Sequence, residues 1–178
     1  MKVKTLNLTI CGLFAALSAI LSQITLPIGI VPIVLTHVSL FLAAGLLGVR
    51  YGTFSQIVYA LLGAIGLPIF AGFTGGLGRI LGPTGGFVIG YIVCTFVTAQ
   101  MIERFGTSVK SLMLAMYAGW AVTYVIGVPW FMFATGTDSL MGALSTCVIP
   151  FLPGDLAKTI LCVWLIRRLR PIFVKMLD

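Results

Sequence analysis

Hydrophobic positions in this chain run in long unbroken blocks rather than in alternation. No Asp, Glu, Lys or Arg occurs from Thr5 to Val49, and further charge-free runs cover Tyr51 to Gly78, Ile80 to Ile102 and Ser111 to Thr137. Runs of this length predict transmembrane α-helices; a membrane β-barrel would show short alternating segments instead. Six spans follow: about Leu6 to Leu26, Pro32 to Leu47, Thr53 to Leu67, Phe87 to Arg104, Leu112 to Phe133 and Pro153 to Leu169. The fifth is expected to bend at Gly127 and Pro129, and Leu140 to Ile149 reads as a short helix or re-entrant piece. The predicted fold class is therefore an all-α integral membrane protein, a single six-helix bundle over residues 1–178.

The breaks between blocks carry their own information. Pro27 to Pro32 is a turn-rich connection and Gly48 to Gly52 a short link. Pro68 to Gly86 is the least helical stretch, with Gly72, Gly75, Gly76, Gly78, Gly82, Gly85, Gly86 and Pro83. It is expected to form a structured non-helical outer loop between helices 3 and 4, because irregular backbone at membrane depth is tolerated only when buried in protein or lining a watery cavity. A flexible linker is the bland alternative, for which Phe70, Phe73 and Leu77 are poor residues. The loop lacks the GxxxxGK[ST] pattern and a preceding strand, so it is no phosphate cradle for a nucleotide. On the first helix, Gly12, Ala15, Ala16 and Ala19 follow i, i+3, i+4, i+7 spacing and predict one face of small residues that admits a close neighbour. That neighbour is either another helix of the bundle or another subunit.

Composition agrees with the pattern: 60% of residues are hydrophobic and 8% charged, against about 25% charged in soluble domains. The net charge of +7 does not indicate nucleic acid, because the basic residues sit at span ends. Lys2, Lys4, Arg50, Arg104, Lys110, Arg167, Arg168, Arg170 and Lys175 fall on the side of the termini, which the positive-inside rule makes cytoplasmic. Arg79 and Lys158 fall on the outer side, with Asp138 and Asp155.

The most informative charges lie in Pro150-Phe-Leu-Pro-Gly-Asp-Leu-Ala-Lys158. Pro153 suits a first helical turn, Asp155 then gains from the helix dipole, and Lys158 projects from the same face three residues on. Ionisable groups at membrane depth are costly and mark binding sites by default; a self-satisfied ion pair that only caps the helix is the plainer reading. With Arg79 on the same membrane face, the charges suggest an outward-facing pocket for a small anion bearing other polar functions. Cys11, Cys94, Cys147 and Cys162 show neither metal-ligand nor disulfide-framework spacing. The sole histidine, His37, is expected to be structural, since one His makes no ligand set.

Gly66-Leu-Pro-Ile-Phe-Ala-Gly72, Gly75-Gly-Leu-Gly78, Leu81-Gly-Pro-Thr-Gly-Gly-Phe87 and Phe151-Leu-Pro-Gly-Asp-Leu-Ala-Lys158 together resemble the BioY family, the biotin-binding S components of energy-coupling-factor (ECF) transporters. Pro32-Ile-Val-Leu35 and Ala43-Ala-Gly-Leu-Leu-Gly48 extend the likeness over most of residues 27–160. The resemblance implies a protein of the bacterial cytoplasmic membrane that captures biotin from outside. It would work with a transmembrane coupling subunit and two cytoplasmic ATPase subunits, with no cofactor of its own. It also implies that Gly12, Ala15, Ala16 and Ala19 meet the coupling subunit. Asp155 and Lys158 would belong to the ligand site, which on the same ground takes in Thr36, Thr74, Gly75, Gly76 and Thr84. The chain departs from the family at three points: Thr36 stands where members carry Gln, Thr74 where some carry Asn, and Val88 where an Arg follows the loop's aromatic residue. The ligand carboxylate thus needs another partner, for which Arg79 is the candidate. An S component for another vitamin and a stand-alone secondary carrier are alternatives, although no internal repeat favours a carrier. A membrane enzyme would need a nucleophile–base or metal constellation, and none is evident.

Overall fold

The computed structural model describes residues 2–26 and 30–177. Its elements are α1 (Lys2–Gln23), β1 (Thr25–Leu26), β2 (Ile33–Val34), α2 (Thr36–Ala64), α3 (Leu77–Leu81), α4 (Gly85–Phe105), α5 (Val109–Thr135), α6 (Leu140–Cys147) and α7 (Leu152–Leu177). Four helices are long and apolar enough to cross a membrane, and a fifth span arises if α6 and α7, bent by 47° at their break, count as one.

The first limb of α2, residues 36–47, is the centre of the molecule: every side chain on it is buried. Around it pack Ile10 and Phe14 of α1, Cys94 and Ile102 of α4, Leu112, Met116 and Trp120 of α5, and Cys162 and Ile166 of α7. A helix apolar all round, such as Leu40 to Leu47, must be enclosed in this way or face lipid. At Gly48 the backbone takes φ 72° and ψ −172°, a left-handed conformation that favours glycine. There the chain folds back. Ser39 and Gln56 would lie about 25 Å apart on a straight helix, yet both bond the Ser18 hydroxyl, at 2.8 and 3.1 Å. The backbone of Ala43 also lies against Gly52. The turn is held from α4, where Glu103 Oε1 accepts the Val49 N–H at 2.8 Å. Helix-to-helix approach elsewhere relies on small residues, as lipid offers no hydrophobic drive between helices: Gly119 of α5 sits against Thr98, Cys94 and Phe41, and Gly127 against the Phe87 ring.

Several expectations change. The first span ends at Gln23, and the next helix starts only at Thr36, because β1 and β2 pair antiparallel as Thr25 with Val34 and Leu26 with Ile33. Pro27, expected to open that connection, lies outside the described residues. The glycine-rich stretch is not wholly non-helical: α3 forms inside it between Gly76 and Gly82. The fifth helix, expected over about Leu112 to Phe133, spans Val109–Thr135 with Pro129 inside it. The last helix continues past Leu169 to Leu177, 26 residues in all and about 39 Å at the usual rise.

The small-residue face of α1 is divided. Ala15 is buried against Tyr59, Phe70 and Val88, with Ala19 packed beside it, whereas Gly12 and Ala16 are exposed. The i, i+3, i+4, i+7 set spans roughly 100° of helix surface, so one edge turns into the bundle and the other outward. The outward edge continues through Leu13 and Ile20.

Candidate functional site

The end of the bundle opposite the Gly48 turn holds two narrow clefts with common walls. One is lined by Ser22, Thr36, Arg79 and Thr84 among apolar residues, the other by His37, Trp120, Tyr124, Asp155 and Lys158. Val31, Pro32, Val34, Phe87 and Tyr91 line both, so they are lobes of one site folded around β2 and the first turns of α4. The lobes measure about 40 and 30 Å³.

The Asp155 lobe is assembled on long helices. Pro153 falls in the first turn of α7, as the sequence predicts. Asp155 and Lys158 are 3% and 6% exposed and pair at 3.2 Å, which fits both readings of the motif: the pair is self-satisfied and also lines the cleft. The Tyr124 hydroxyl donates to the other carboxylate oxygen, Asp155 Oδ2. An ionised carboxylate offers about four acceptor positions, so two remain for a ligand's N–H groups. Trp120 Nε1 donates to Thr159 Oγ1 at 3.1 Å, and Thr159 donates to the Asp155 carbonyl at 2.8 Å. These bonds lock the indole against the start of α7. His37 stacks on Trp120 with centroids 3.9 Å apart, Tyr124 lies on the same ring at 6.0 Å, and Lys158 Nζ sits 5.3 Å from its centroid. The result is a flat aromatic wall ending in a carboxylate and an ammonium, suited to a planar polar ring.

The Arg79 lobe is assembled on the glycine-rich loop. Arg79 is half-buried, and among the described residues the Asp155–Lys158 pair is the only ion pair. Val88 lines this same lobe with Arg79 and Thr84. Thr36 Oγ1 is buried here without a hydrogen-bond partner, and His37 Nε2 is likewise unpartnered next door. Buried polar atoms are normally satisfied, so two orphans in one cleft point to a ligand or water between them. The structural role expected of His37 therefore understates it: it is a wall of the site.

Thr74, Gly75 and Gly76 line neither lobe. Thr74 pairs across a tight turn with Phe70 and bonds the Ala71 carbonyl, Gly75 abuts the Leu67 backbone, and Gly76 caps α3 with φ 92°. They shape the loop rather than the cleft. Trp120, Tyr124 and Tyr91, in turn, escaped the sequence reading. The i, i+4 spacing of Trp120 and Tyr124 was the available signal, but aromatic pairs at that spacing are ordinary in a core.

Fold and cleft together define a class: a small polytopic membrane protein with a cleft, carrying an aromatic wall and charges of both signs, at one end of a helix bundle. The sequence pattern of the BioY family matches residues 1–175. The chain is 35% identical over 164 residues to the biotin transporter BioY of Thermotoga maritima, covering 92% of this chain and 95% of that protein. It is 36% identical over 172 residues to a probable biotin transporter BioY of Pyrococcus horikoshii, covering 96% and 98%. The solved S-component for biotin from an ECF-type ABC transporter superposes with a TM-score of 0.86 at 32% identity, over 94% of this chain and 92% of that one. The chain belongs to the BioY family.

Proposed function

We propose that this chain is the substrate-binding subunit of an ECF-type biotin importer, a multi-pass protein of the cytoplasmic membrane and a transport subunit rather than an enzyme. The observation that carries the reading is the bipolar cleft. Biotin has a planar ureido ring with two N–H donors at one end and a carboxylate at the other. Asp155, backed by the Trp120 wall, suits the ureido end through charge-assisted hydrogen bonds. Arg79, sharing a lobe with Val88, suits the carboxylate, since a guanidinium fork matches it bidentately and an unpaired buried carboxylate would be costly. Thr36 and Thr84 add polar atoms to that lobe.

Six crossings would follow if α2 is divided at Gly48 and α6 joins α7; both termini would then lie on one side, which the basic residues at the span ends would make cytoplasmic. The glycine-rich segment, with α3, then forms the outer loop, and the cleft opens outward. The coupling subunit would meet Gly12 and Ala16 rather than the whole small-residue set. ATP would be used only by the two partner ATPase subunits, and the chain itself would need no cofactor.

Equilibrium binding of radiolabelled biotin to the purified chain tests the reading. Tight binding is expected, and Asp155→Asn should weaken it by at least about 1.4 kcal/mol, one decade. Absence of binding by the intact chain would overturn the assignment, and unchanged affinity in the mutant would remove Asp155 from the site.

A further inference from the structure

At the other end of the bundle, beside the chain termini, lies a cleft of about 460 Å³ lined by Thr107, Ser108, Arg167, Arg170, Pro171, Val174 and Lys175. Three cations and two hydroxyl side chains converge there, and among the described residues no carboxylate lines it. Among the described residues none of these cations has an ion-pair partner. Glu103, the nearest acid in sequence to Thr107, has its Oε1 committed to the Val49 N–H. Arg170 Nη1 is shielded from solvent yet has no hydrogen-bond partner. Thr107 and Ser108 also bring the N-terminus of the 27-residue helix α5 to the cleft, adding a partial positive charge that favours anions. A topology signal requires only that cations lie on one side of the membrane. It does not require that they converge on one cavity, or that a guanidinium nitrogen be buried there unpaired.

We propose that this cleft binds a phosphate group, and that its occupant is the headgroup of an anionic phospholipid in the leaflet at that face. Arg167, Arg170 and Lys175 supply charge and directional donors, and a guanidinium fork pairs with phosphate oxygens bidentately. Basic clefts between helices at the cytoplasmic face are where such headgroups dock. The apolar rim favours a lipid over a free ion: Pro171 and Val174 line the cleft, and Ile172 and Val174 are 61% and 45% exposed beside it, giving acyl chains a surface to follow. The assignment of the leaflet rests on the orientation given above; the binding site itself does not.

Native mass spectrometry of the detergent-purified chain tests this, with dioleoylphosphatidylglycerol titrated against dioleoylphosphatidylcholine. The anionic lipid should be retained at a concentration at least about tenfold lower. Each of Arg167→Gln and Arg170→Gln should weaken its retention roughly fivefold and the double variant about 30-fold, at about 1 kcal/mol per cation. Arg104→Gln, which removes a cation from the same end but outside the cleft, should leave retention unchanged. Unaltered gel-filtration profiles would show that the variants fold. Equal retention of the two lipids, or a loss as large with Arg104→Gln as with Arg170→Gln, would overturn the site. Full displacement of the lipid by millimolar inorganic phosphate would overturn the lipid assignment.

Discussion

Asp155 and Arg79 stand in lobes that share five wall residues, yet the segments carrying them are anchored differently. Asp155 lies on a helix tied to α5 by the Tyr124 hydroxyl and by the Trp120–Thr159 bond, and its own counter-ion is one turn away. Arg79 lies on α3, a five-residue helix with no buried residue; Leu77 and Leu81 beside it are 66% and 69% exposed. The loop is pinned at its flanks instead. Gln23 bonds the Phe70 carbonyl and the Phe73 N–H, Gly76 bonds Gly63, and Trp130 bonds the Gly82 carbonyl at 3.0 Å. Segments with few buried contacts are the ones that open locally at low cost. By that measure the α3 side is the wall expected to yield first, and the Asp155 side the more rigid one. On the function proposed above, the long helices would preorganise recognition of the ring, and the lightly held loop would admit the ligand and close a cation over it.

The largest effect that sharpens this contrast is on stability. Lys158→Ala leaves Asp155 buried without its counter-ion and should destabilise the purified protein by about 3 kcal/mol. Arg79→Ala, on an unpaired half-buried side chain, should cost less than about 0.5 kcal/mol. Chemical unfolding in detergent followed by tryptophan fluorescence measures both, and equal losses would dissolve the distinction between fixed and mobile walls.

A smaller effect concerns ligand choice. Arg79→Ala should weaken biotin by about 2 kcal/mol, the scale of a charged hydrogen bond, and weaken a biotin amide much less, because its uncharged end has no use for a guanidinium. Lys158→Ala should show a smaller difference between the two ligands. Calorimetry with acid and amide decides it: the same loss for both on Arg79→Ala would make Arg79 a loop-ordering residue.

The smallest effect tests the flank. Trp130→Phe removes the hydrogen bond to Gly82 while keeping an aromatic ring over Gly86. It should weaken both ligands alike by about 1 kcal/mol and speed their association, since a looser loop opens more often. Stopped-flow rates that are unchanged would show that the Trp130–Gly82 contact does not limit entry.

The membrane class, the main spans and the helical placement of Asp155 and Lys158 were legible because hydropathy and charge are local properties that a span cannot evade. A buried backbone must close its own hydrogen bonds, so a charge-free run long enough to cross has little choice but helix. A break between the second and third helices was visible as the Gly48 to Gly52 link, but its narrowing to one left-handed residue, Gly48, was not. What local pattern could not decide was which way a face points once helices pack. All four small residues of α1 look equivalent in the sequence, yet the ring of Phe70 and the Tyr59 side chain claim Ala15 while Gly12 stays outside. His37 has no sequence neighbour that marks it as a cleft wall; it becomes one because Trp120, more than eighty positions later, stacks on it. The convergence of Arg79 with Val88 and of Tyr124 with Asp155 has the same origin. Each joins segments whose relative position is set by the fold-back of α2 and the packing of α4 and α5 around it, and only the assembled bundle brings them to one cleft.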